Sequence, residues 1–486
     1  MSRPNIVLLM TDQMRGDCLG IAGHPDVKTP YLDTLATRGV LFDRAYSACP
    51  SCIPARAALH TGMSQEHHGR VGYEDGVPFR YENTLAGELK KAGYYTQCVG
   101  KMHVHPLRNL MGFDHIELHD GALGYYRRPD IPYYESQKVA DDYFYWLKNE
   151  KGVSYDVADT GIQCNSWVSR PWPYEEELHP TNWVAQRSID FLRRRDRDKP
   201  FFLFASFVRP HPPFDAPQCY FDLYRDMPIH QPPIGDWADT ERCKREGRIV
   251  DSLYGIADEE MVRQAQIGYY ACITHVDHQI GRIINALTDE GIMDNTIFLF
   301  CSDHGEMLGD HHTYRKARAQ EGSAHIPFFI SGPERLIGRH GVCHEVAELR
   351  DVMPTILDYV GAPIPDSVDG APLRPVIEDG APLREYLHGE HSLGEVSNQF
   401  IVTKTDKYIW ETQTGREFYF RLDTDPQETH NAIGDAQYRE RIAYLRGLLI
   451  QALDGREEGY TDGVRLIPGK PPVDGLEHLY RSVGRK

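Results

Sequence analysis

The chain has 486 residues, 41 % of them hydrophobic and 26 % charged, a profile that belongs to a folded globular protein and excludes disorder as its main state. The 53 Lys and Arg against 71 Asp and Glu leave a formal charge of −18. That argues against a general nucleic-acid binder and requires any anionic substrate to meet a locally positive pocket.

The first apolar run, residues 6–10, is followed by Thr11 and Asp12. It is too short for a signal-peptide core and has no small-residue cleavage site after it, so it reads as a strand of the mature fold. No run of about 20 apolar residues offers a membrane span. The expectation is a cytoplasmic protein with no membrane partner, whose ten cysteines stay mostly reduced. Further apolar runs at 201–207, 297–301 and 327–330, with weaker ones at 40–46 and 95–99, predict buried parallel strands, because continuous apolar character marks a strand covered on both faces. Between them, Ile273, Val276, Ile280, Ile283 and Leu287 repeat at helical spacing before Gly291. Leu349, Val352, Ile356 and Val360 repeat likewise before Gly361, and glycine is a helix stop. Segments 112–200 and 208–260 read as long insertions, where binding residues tend to sit. Beyond residue 370 the pattern changes to short strands at 400–403, 408–412 and 417–422 and a helix near 438–453. The predicted fold is α/β, a large mixed, mostly parallel sheet sandwiched by helices. A smaller C-terminal α+β subdomain is built on a short antiparallel sheet. The expected boundary separates 1–374 from 375–486.

Ligands of open α/β sheets bind beyond the carboxyl ends of the strands. Asp12 and Gln13, Lys101 and His103, His211, and Asp303 and His304 each follow one of the apolar runs. Taken singly, each could be a polar cap on a strand end; together they read as one site. Asp12, Gln13 and Asp303 offer hard oxygens that suit Ca²⁺ or Mg²⁺. An imidazole is unusual for Ca²⁺, so His304 points either to Mn²⁺ or to contact with a substrate or nucleophile.

Cys52 stands in Cys49-Pro50-Ser51-Cys52-Ile53-Pro54-Ala55-Arg56. Pro54 suits a first helical turn, which sets Cys52 just before a helix N-terminus, where free amides favour an anion. Arg56 adds fixed positive charge one turn on. Cys49-x-x-Cys52 is also the spacing of a redox or zinc pair, but no second pair matches it; buried structural cysteines are the plain alternative.

Cys52-x-Pro54-x-Arg56 with Thr61-Gly62 resembles the maturation motif of the type I, formylglycine-dependent sulfatases of the alkaline phosphatase superfamily. Their other landmarks follow in order: Pro4-Asn5 through Asp12-Gln13, Gly100-Lys101-Met102-His103, Arg209-Pro210-His211, Ser302-Asp303-His304-Gly305-Glu306, and Lys316 ahead of Glu321-Gly322-Ser323. Asp423-x-Asp425-Pro426-x-Glu428 with Asn431 resembles the family's C-terminal part. The resemblance implies that a maturation enzyme oxidises Cys52 to formylglycine. One hydroxyl of its hydrate would attack a sulfate ester and the other would expel sulfate, splitting one hard step into two. It implies one divalent metal, Ca²⁺ first and Mg²⁺ or Mn²⁺ next, held by Asp12, Gln13, Asp303 and His304. Arg56 and Lys101 would stabilise the hydrate, His103 would act as a base in its breakdown, and His211 and Lys316 would bind sulfate oxygens or protonate the leaving oxygen.

Three positions depart from the family pattern: Gln13 where a second acid is common, Ile53 where a small residue is common, and His325 where Arg is frequent. Asp-Gln also occurs in related phosphonate monoester and phosphodiester hydrolases, which are the alternative enzyme reading; a thiol-bearing binder of sulfated glycans is the non-enzyme one. The expected substrate is a small anionic sulfate ester, either a sulfated carbohydrate or an aryl sulfate, and a homo-oligomer stays open. Trp167, Arg170, Trp172, His179, Asn182 and Trp183 are candidates for stacking on that substrate, with packing of the insertion itself as the alternative. Arg127 and Arg128 could grip a second anionic group, though solvated charge is the plainer reading.

Overall fold

The computed structural model describes residues 3–121, 140–153, 161–246, 249–255 and 258–484. Arg127 and Arg128 lie outside the described residues. The strands run in chain order β1 (Asn5–Asp12), β2 (Gly39–Phe42), β3 (Ala45–Tyr46), β4 (Tyr95–Gly100), β5 (His115–Leu118), β6 (Phe201–Pro210), β7 (Thr296–Ser302), β8 (Phe328–Ser331), β9 (Gly341–Cys343) and β10 (Ala347–Glu348), followed by β11 (Leu387–His391), β12 (Asn398–Val402), β13 (Asp406–Glu411) and β14 (Glu417–Arg421). The main sheet has the order β5-β4-β6-β1-β7-β8-β2-β9. β1 lies at its centre, parallel to β6 on one side and β7 on the other.

The alternation along β1 explains why every residue of this strand from Ile6 to Met10 is apolar. Val7 and Leu9 point into one core, while Ile6, Leu8 and Met10 point into the other. Helices covering the first face include α1 (Pro30–Ala36), α4 (Pro180–Arg194) and the 31-residue α5 (Glu259–Asp289). Those covering the second include α2 (Cys52–Thr61), α3 (Leu85–Lys91) and α6 (Val352–Val360). Burying each large aliphatic side chain in these layers contributes about 1.5–3 kcal/mol. α5 begins well before the periodic stretch from Ile273 because Asp258 caps it, accepting the Met261 N–H at 3.0 Å.

Two expectations are corrected. The run predicted as a parallel strand at 327–330 is β8, which lies antiparallel to both neighbours, β7 and β2. Its connection from β7 contains no crossover helix longer than four residues (Glu321–Ala324), so the chain turns back instead of crossing the sheet. The run at 40–46 divides into β2 and β3, the latter pairing with β10 in a separate two-stranded sheet.

The C-terminal strands form an antiparallel meander, β11-β12-β13-β14. One face, with Phe400, Val402, Ile409 and Phe418, packs on Tyr46, Ala319 and Ala324 of the main body. The other, with Ile401, Tyr408, Trp410 and Tyr419, packs on α7 (Arg439–Leu453). No described helix is long and apolar enough to cross a membrane.

Candidate active site

Four strands of the main sheet end at one place. Asp12 is the last residue of β1, Lys101 follows β4, His211 follows β6 and Asp303 follows β7. The close approach that lets them converge depends on Gly100, whose φ is 101°; a Cβ there would stand 1.9 Å from the Ser206 carbonyl oxygen. Lys101 can then donate its backbone N–H to that same oxygen at 2.9 Å.

Cys52 is the first residue of α2 and is 1 % exposed. Its Sγ lies 3.3 Å from His304 Nε2, 3.7 Å from Asp12 Oδ1, 3.7 Å from Lys101 Nζ and 3.6 Å from Lys316 Nζ. Burial and the Asp12 carboxylate push the thiol up, but Lys101, Lys316 and His304 outweigh them and hold it below its ordinary value. Burial likewise pushes Asp12 up, and Lys101, His211, Lys316 and His304 bring it well below the usual carboxylate range. Lys101 is ion-paired to Asp12. Arg56, fully buried, donates from Nε to Asp303 Oδ2 at 2.9 Å and from Nη1 to the Lys101 carbonyl at 2.7 Å and Ser206 Oγ at 3.0 Å; its Nη2 is 3.6 Å from Asp12 Oδ2.

The tautomers follow from the surroundings. His304 Nδ1 is 2.9 Å from the Gly305 carbonyl oxygen, so the proton sits there and Nε2 faces Cys52. His211 Nδ1 is 2.9 Å from the Pro212 carbonyl oxygen, and its Nε2 accepts from Lys316 Nζ at 2.7 Å. Burial and the Lys316 ammonium keep His211 neutral, far below its ordinary value. Lys316 also donates to Gln13 Oε1 at 2.7 Å. Gln13 has φ 69°, an unusual backbone state for a non-glycine residue; its N–H donates to Asp303 Oδ1 at 3.0 Å, its carbonyl accepts the Tyr269 hydroxyl at 2.6 Å, and its amide bonds Glu306.

Asp12, Cys52, Asp303 and His304 present ligand atoms within 4.8 Å of one another. Two carboxylates, an imidazole nitrogen and the neighbouring Gln13 amide suit a hard divalent cation, and the fixed Nδ1–H of His304 leaves Nε2 as the donor.

His103 lies two residues beyond Lys101, in the turn after β4. Asp120 Oδ1 accepts its backbone N–H at 2.9 Å, and its ring meets Tyr73 edge-on at 5.8 Å between centroids. Tyr73 lines the cavity over Cys52.

That cavity has a volume of about 320 Å³, with Cys52, Lys101, His211 and Lys316 at its floor. Its walls are Tyr73, His119, Tyr143, Phe144, His391 and Asp474, with others; none of these six was singled out in the sequence. His119 is held by Asp141 at 3.2 Å and meets Tyr143 at a tilt, with 4.5 Å between ring centroids. His391 Nε2 lies 2.7 Å from the Ser51 hydroxyl, beside Cys52. The aromatic cluster of the insertion takes the plainer of its two readings. Trp167 packs on Tyr314, Trp172 on His179 and Trp183 on Tyr143, and none of the three tryptophans lines the cavity.

Residues 4–362 match the Sulfatase family, and residues 309–454 match the family described as N-sulphoglucosamine sulphohydrolase, C-terminal. The chain belongs to the sulfatase family. It is similar to an arylsulfatase of Clostridium perfringens, with 55 % identity over 480 residues covering 98 % of this chain and 100 % of that one. A choline-sulfatase of Rhizobium meliloti is 30 % identical, over 88 % of this chain and 82 % of its own. Among solved structures, the phosphonate monoester hydrolase of Agrobacterium radiobacter superposes with a TM-score of 0.74 at 28 % identity, covering 92 % of this chain and 95 % of that one. This sulfatase is therefore a sulfuric ester hydrolase, and despite its net charge of −18 its pocket is lined by Lys101 and Lys316, with the fully buried Arg56 bonded to the Lys101 carbonyl.

Proposed function

We propose that this sulfatase cleaves small sulfate monoesters of aryl or sugar alcohols, using Cys52 converted to formylglycine by a maturation enzyme and one Ca²⁺ held by Asp12, Gln13, Asp303 and His304. The observation that carries the proposal is the position of Cys52. Its Sγ lies within 3.7 Å of two ammonium groups, an imidazole and a carboxylate, at the floor of a closed-in cavity. A merely structural cysteine has no need of such partners, whereas a nucleophile that must carry and release an anion does.

When formed, the aldehyde hydrate supplies two geminal hydroxyls, one to attack sulfur and one to expel sulfate. The bound cation would polarise sulfate oxygens and favour the ionised nucleophile. Lys101 and Arg56 fix the two carboxylates and keep the nucleophile's surroundings positive. Lys316, hydrogen-bonded to neutral His211, stands where it can hold a sulfate oxygen or hand its own proton directly to the leaving oxygen. His103 contributes through Tyr73 and the Asp120 turn, which set the wall beside Lys101.

The cavity volume of about 320 Å³ suits one ring beyond the sulfate group, and Tyr73, Tyr143 and Phe144 offer it aromatic faces. The arylsulfatase name of the 55 % identical relative supports the aryl reading. The nine cysteines other than Cys52 carry no disulfide, which fits a reducing compartment and supports a cytoplasmic location. The test is peptide mass spectrometry across Cys52 on protein matured in its host, followed by a panel pairing phenyl sulfate, a monosaccharide sulfate and phenyl phosphonate monoesters. An aldehyde at Cys52 with preferred turnover of a sulfate is expected. A faster phosphonate, or turnover that survives Cys52→Ala, refutes the proposal.

A further inference from the structure

The C-terminal motif that ends in Glu428 takes no part in the chemistry above, yet it is part of a buried charge cluster. Lys407, on β13, is fully buried. Its Nζ donates to Glu428 Oε1 at 3.0 Å, to the Glu321 carboxylate, and to the Ala319 carbonyl at 2.8 Å. Glu428 Oε2 in turn accepts the Glu321 N–H at 2.8 Å. Burying an ammonium between two carboxylates is expensive, and apolar residues of similar volume often serve a core better. Such a cluster is explained more readily by what it holds than by the stability it adds.

What it holds is the segment that carries Lys316. Arg315 and Ala317, on either side of Lys316, have φ 69° and 72°, left-handed states that non-glycine residues keep only where the surroundings over-determine them. Neighbouring elements supply that constraint. Ala317 donates its N–H to the Pro50 carbonyl at 3.0 Å, which ties it to the loop before Cys52. Its own carbonyl accepts from Asn398 Nδ2, on β12, at 3.0 Å. Two residues on, Lys407 grips Ala319, and Glu321 is held by both Lys407 and Glu428. The C-terminal sheet thus fixes this segment at Ala317, Ala319 and Glu321, while Lys316 reaches the other way to Cys52, Gln13 and His211.

We propose that Lys407, with Glu321 and Glu428, is a latch through which the C-terminal sheet positions Lys316 over Cys52. These are positioning residues, acting on the reaction only through Lys316, and the inference rests on the role given to Lys316 above.

The experiment compares Lys407→Met, Asn398→Ala, Lys316→Ala and the Lys316→Ala/Lys407→Met double variant with the wild type, on protein whose Cys52 conversion is quantified. Rates are measured with p-nitrophenyl sulfate and phenyl sulfate, and amide hydrogen exchange is followed across residues 315–321 and 52–61. Misplacing a catalytic group by about 1 Å can cost on the order of 100-fold. Lys407→Met is therefore expected to lower kcat by about 10- to 100-fold with a much smaller change in KM. The loss should be larger for phenyl sulfate, the poorer leaving group, as it is for Lys316→Ala. In the Lys316→Ala background the same change should have almost no further effect, which a general loss of structure would not produce. Exchange should rise across 315–321 and not across 52–61. Should Lys407→Met fail to fold, Asn398→Ala carries the same expectation with a smaller loss. Wild-type rates and exchange in both variants, or an undiminished loss in the double variant, would overturn the latch. If wild-type enzyme with a verified aldehyde turns over neither ester, the substrate reading fails, and the exchange measurement alone decides the latch.

Discussion

Replacing Arg56 by Met keeps the length of the side chain and removes its charge at the most enclosed point of the site. Arg56 is 0 % exposed and touches both carboxylates of the metal-binding group: Asp303 at 2.9 Å and Asp12 at 3.6 Å. At an effective dielectric of about 20, pairs at such distances are each worth about 5 kcal/mol before desolvation is counted. Removing one partner of a buried pair costs about 3–5 kcal/mol net, because the other charge stays buried. The Lys101 carbonyl and Ser206 hydroxyl lose a donor as well. In metal-free protein, Arg56→Met should therefore lower stability by about 3–5 kcal/mol, a large fraction of a typical total of about 5–15 kcal/mol. With the divalent ion bound, the two carboxylates keep a cation between them, so the loss should be smaller. Arg56→Lys, which keeps the charge but not the forked geometry, should fall between. Urea unfolding followed by circular dichroism, with and without Ca²⁺, measures this directly. A metal-free loss under about 1 kcal/mol, or an identical loss in both conditions, would refute the claim that Arg56 neutralises the carboxylates that hold the metal.

Three further outcomes follow from the same geometry. Stripping the divalent ion with a chelator should lower both the rate and the thermal midpoint, and added Ca²⁺ should restore them; full activity after removal verified by elemental analysis would contradict the roles of Asp12 and Asp303. Tyr73→Ala removes a half-buried ring from the cavity wall and should raise KM for phenyl sulfate about 10-fold, with a lesser effect on kcat; an unchanged KM would remove Tyr73 from the substrate surface. Burial lifts the Asp277 carboxyl to about 7, although it accepts the Leu32 and Tyr31 N–H groups at the start of α1. The folded state then keeps a proton that the unfolded chain releases near pH 4, so stability falls as the pH rises from about 4 to 7. The fall attributable to this group is on the order of 4 kcal/mol at most. Asp277→Asn should flatten that slope, and urea midpoints at pH 4.5 and 7.5 that fall as steeply as in the wild type would count against it.

The residues legible in the sequence are those whose position is set by a strand end. Asp12, Lys101, His211 and Asp303 follow continuous apolar runs, and a buried strand must deliver its next residue to the sheet's edge. Cys52 and Arg56 share one helix, so their spacing alone relates them. What the sequence hides comes from loops and from distant chain. His391 meets Ser51 across 340 positions, and Asp474 reaches the cavity because its carbonyl accepts the Val71 and Gly72 N–H groups, binding the C-terminal tail to that loop. β11, with His388, Gly389 and Glu390 among five residues, lacks the apolar run that marks a strand. Strand direction is hidden too: the composition of β8 is that of its parallel neighbours, and only the missing crossover turns it round. The tryptophans of the insertion look like a binding surface in one dimension because clustering along the chain does not say which way a ring points.

Charge gives the last link between the chain and its substrate. Around the metal-binding group stand three cations, Arg56, Lys101 and Lys316, which pair with or lie beside its two carboxylates, Asp12 and Asp303; these five groups sum to one positive charge, and a bound divalent ion would raise it to three. Gln13 keeps that excess, since an acid at its place would remove one unit. A sulfate monoester brings one negative charge, and the nucleophile and leaving oxygen develop more as the bond breaks, which this excess can meet without importing counter-ions. A phosphonate monoester also brings one negative charge. The charge at the floor therefore does not separate a sulfate from a phosphonate monoester, and discrimination between sulfur and phosphorus must come from how the walls orient the ester over Cys52. His119, Tyr143 and His391 stand on those walls and are each held by a partner: Asp141, the Leu178 carbonyl and Ser51. Rigid walls of that kind can favour one orientation of the ester over another, which charge on the floor cannot do.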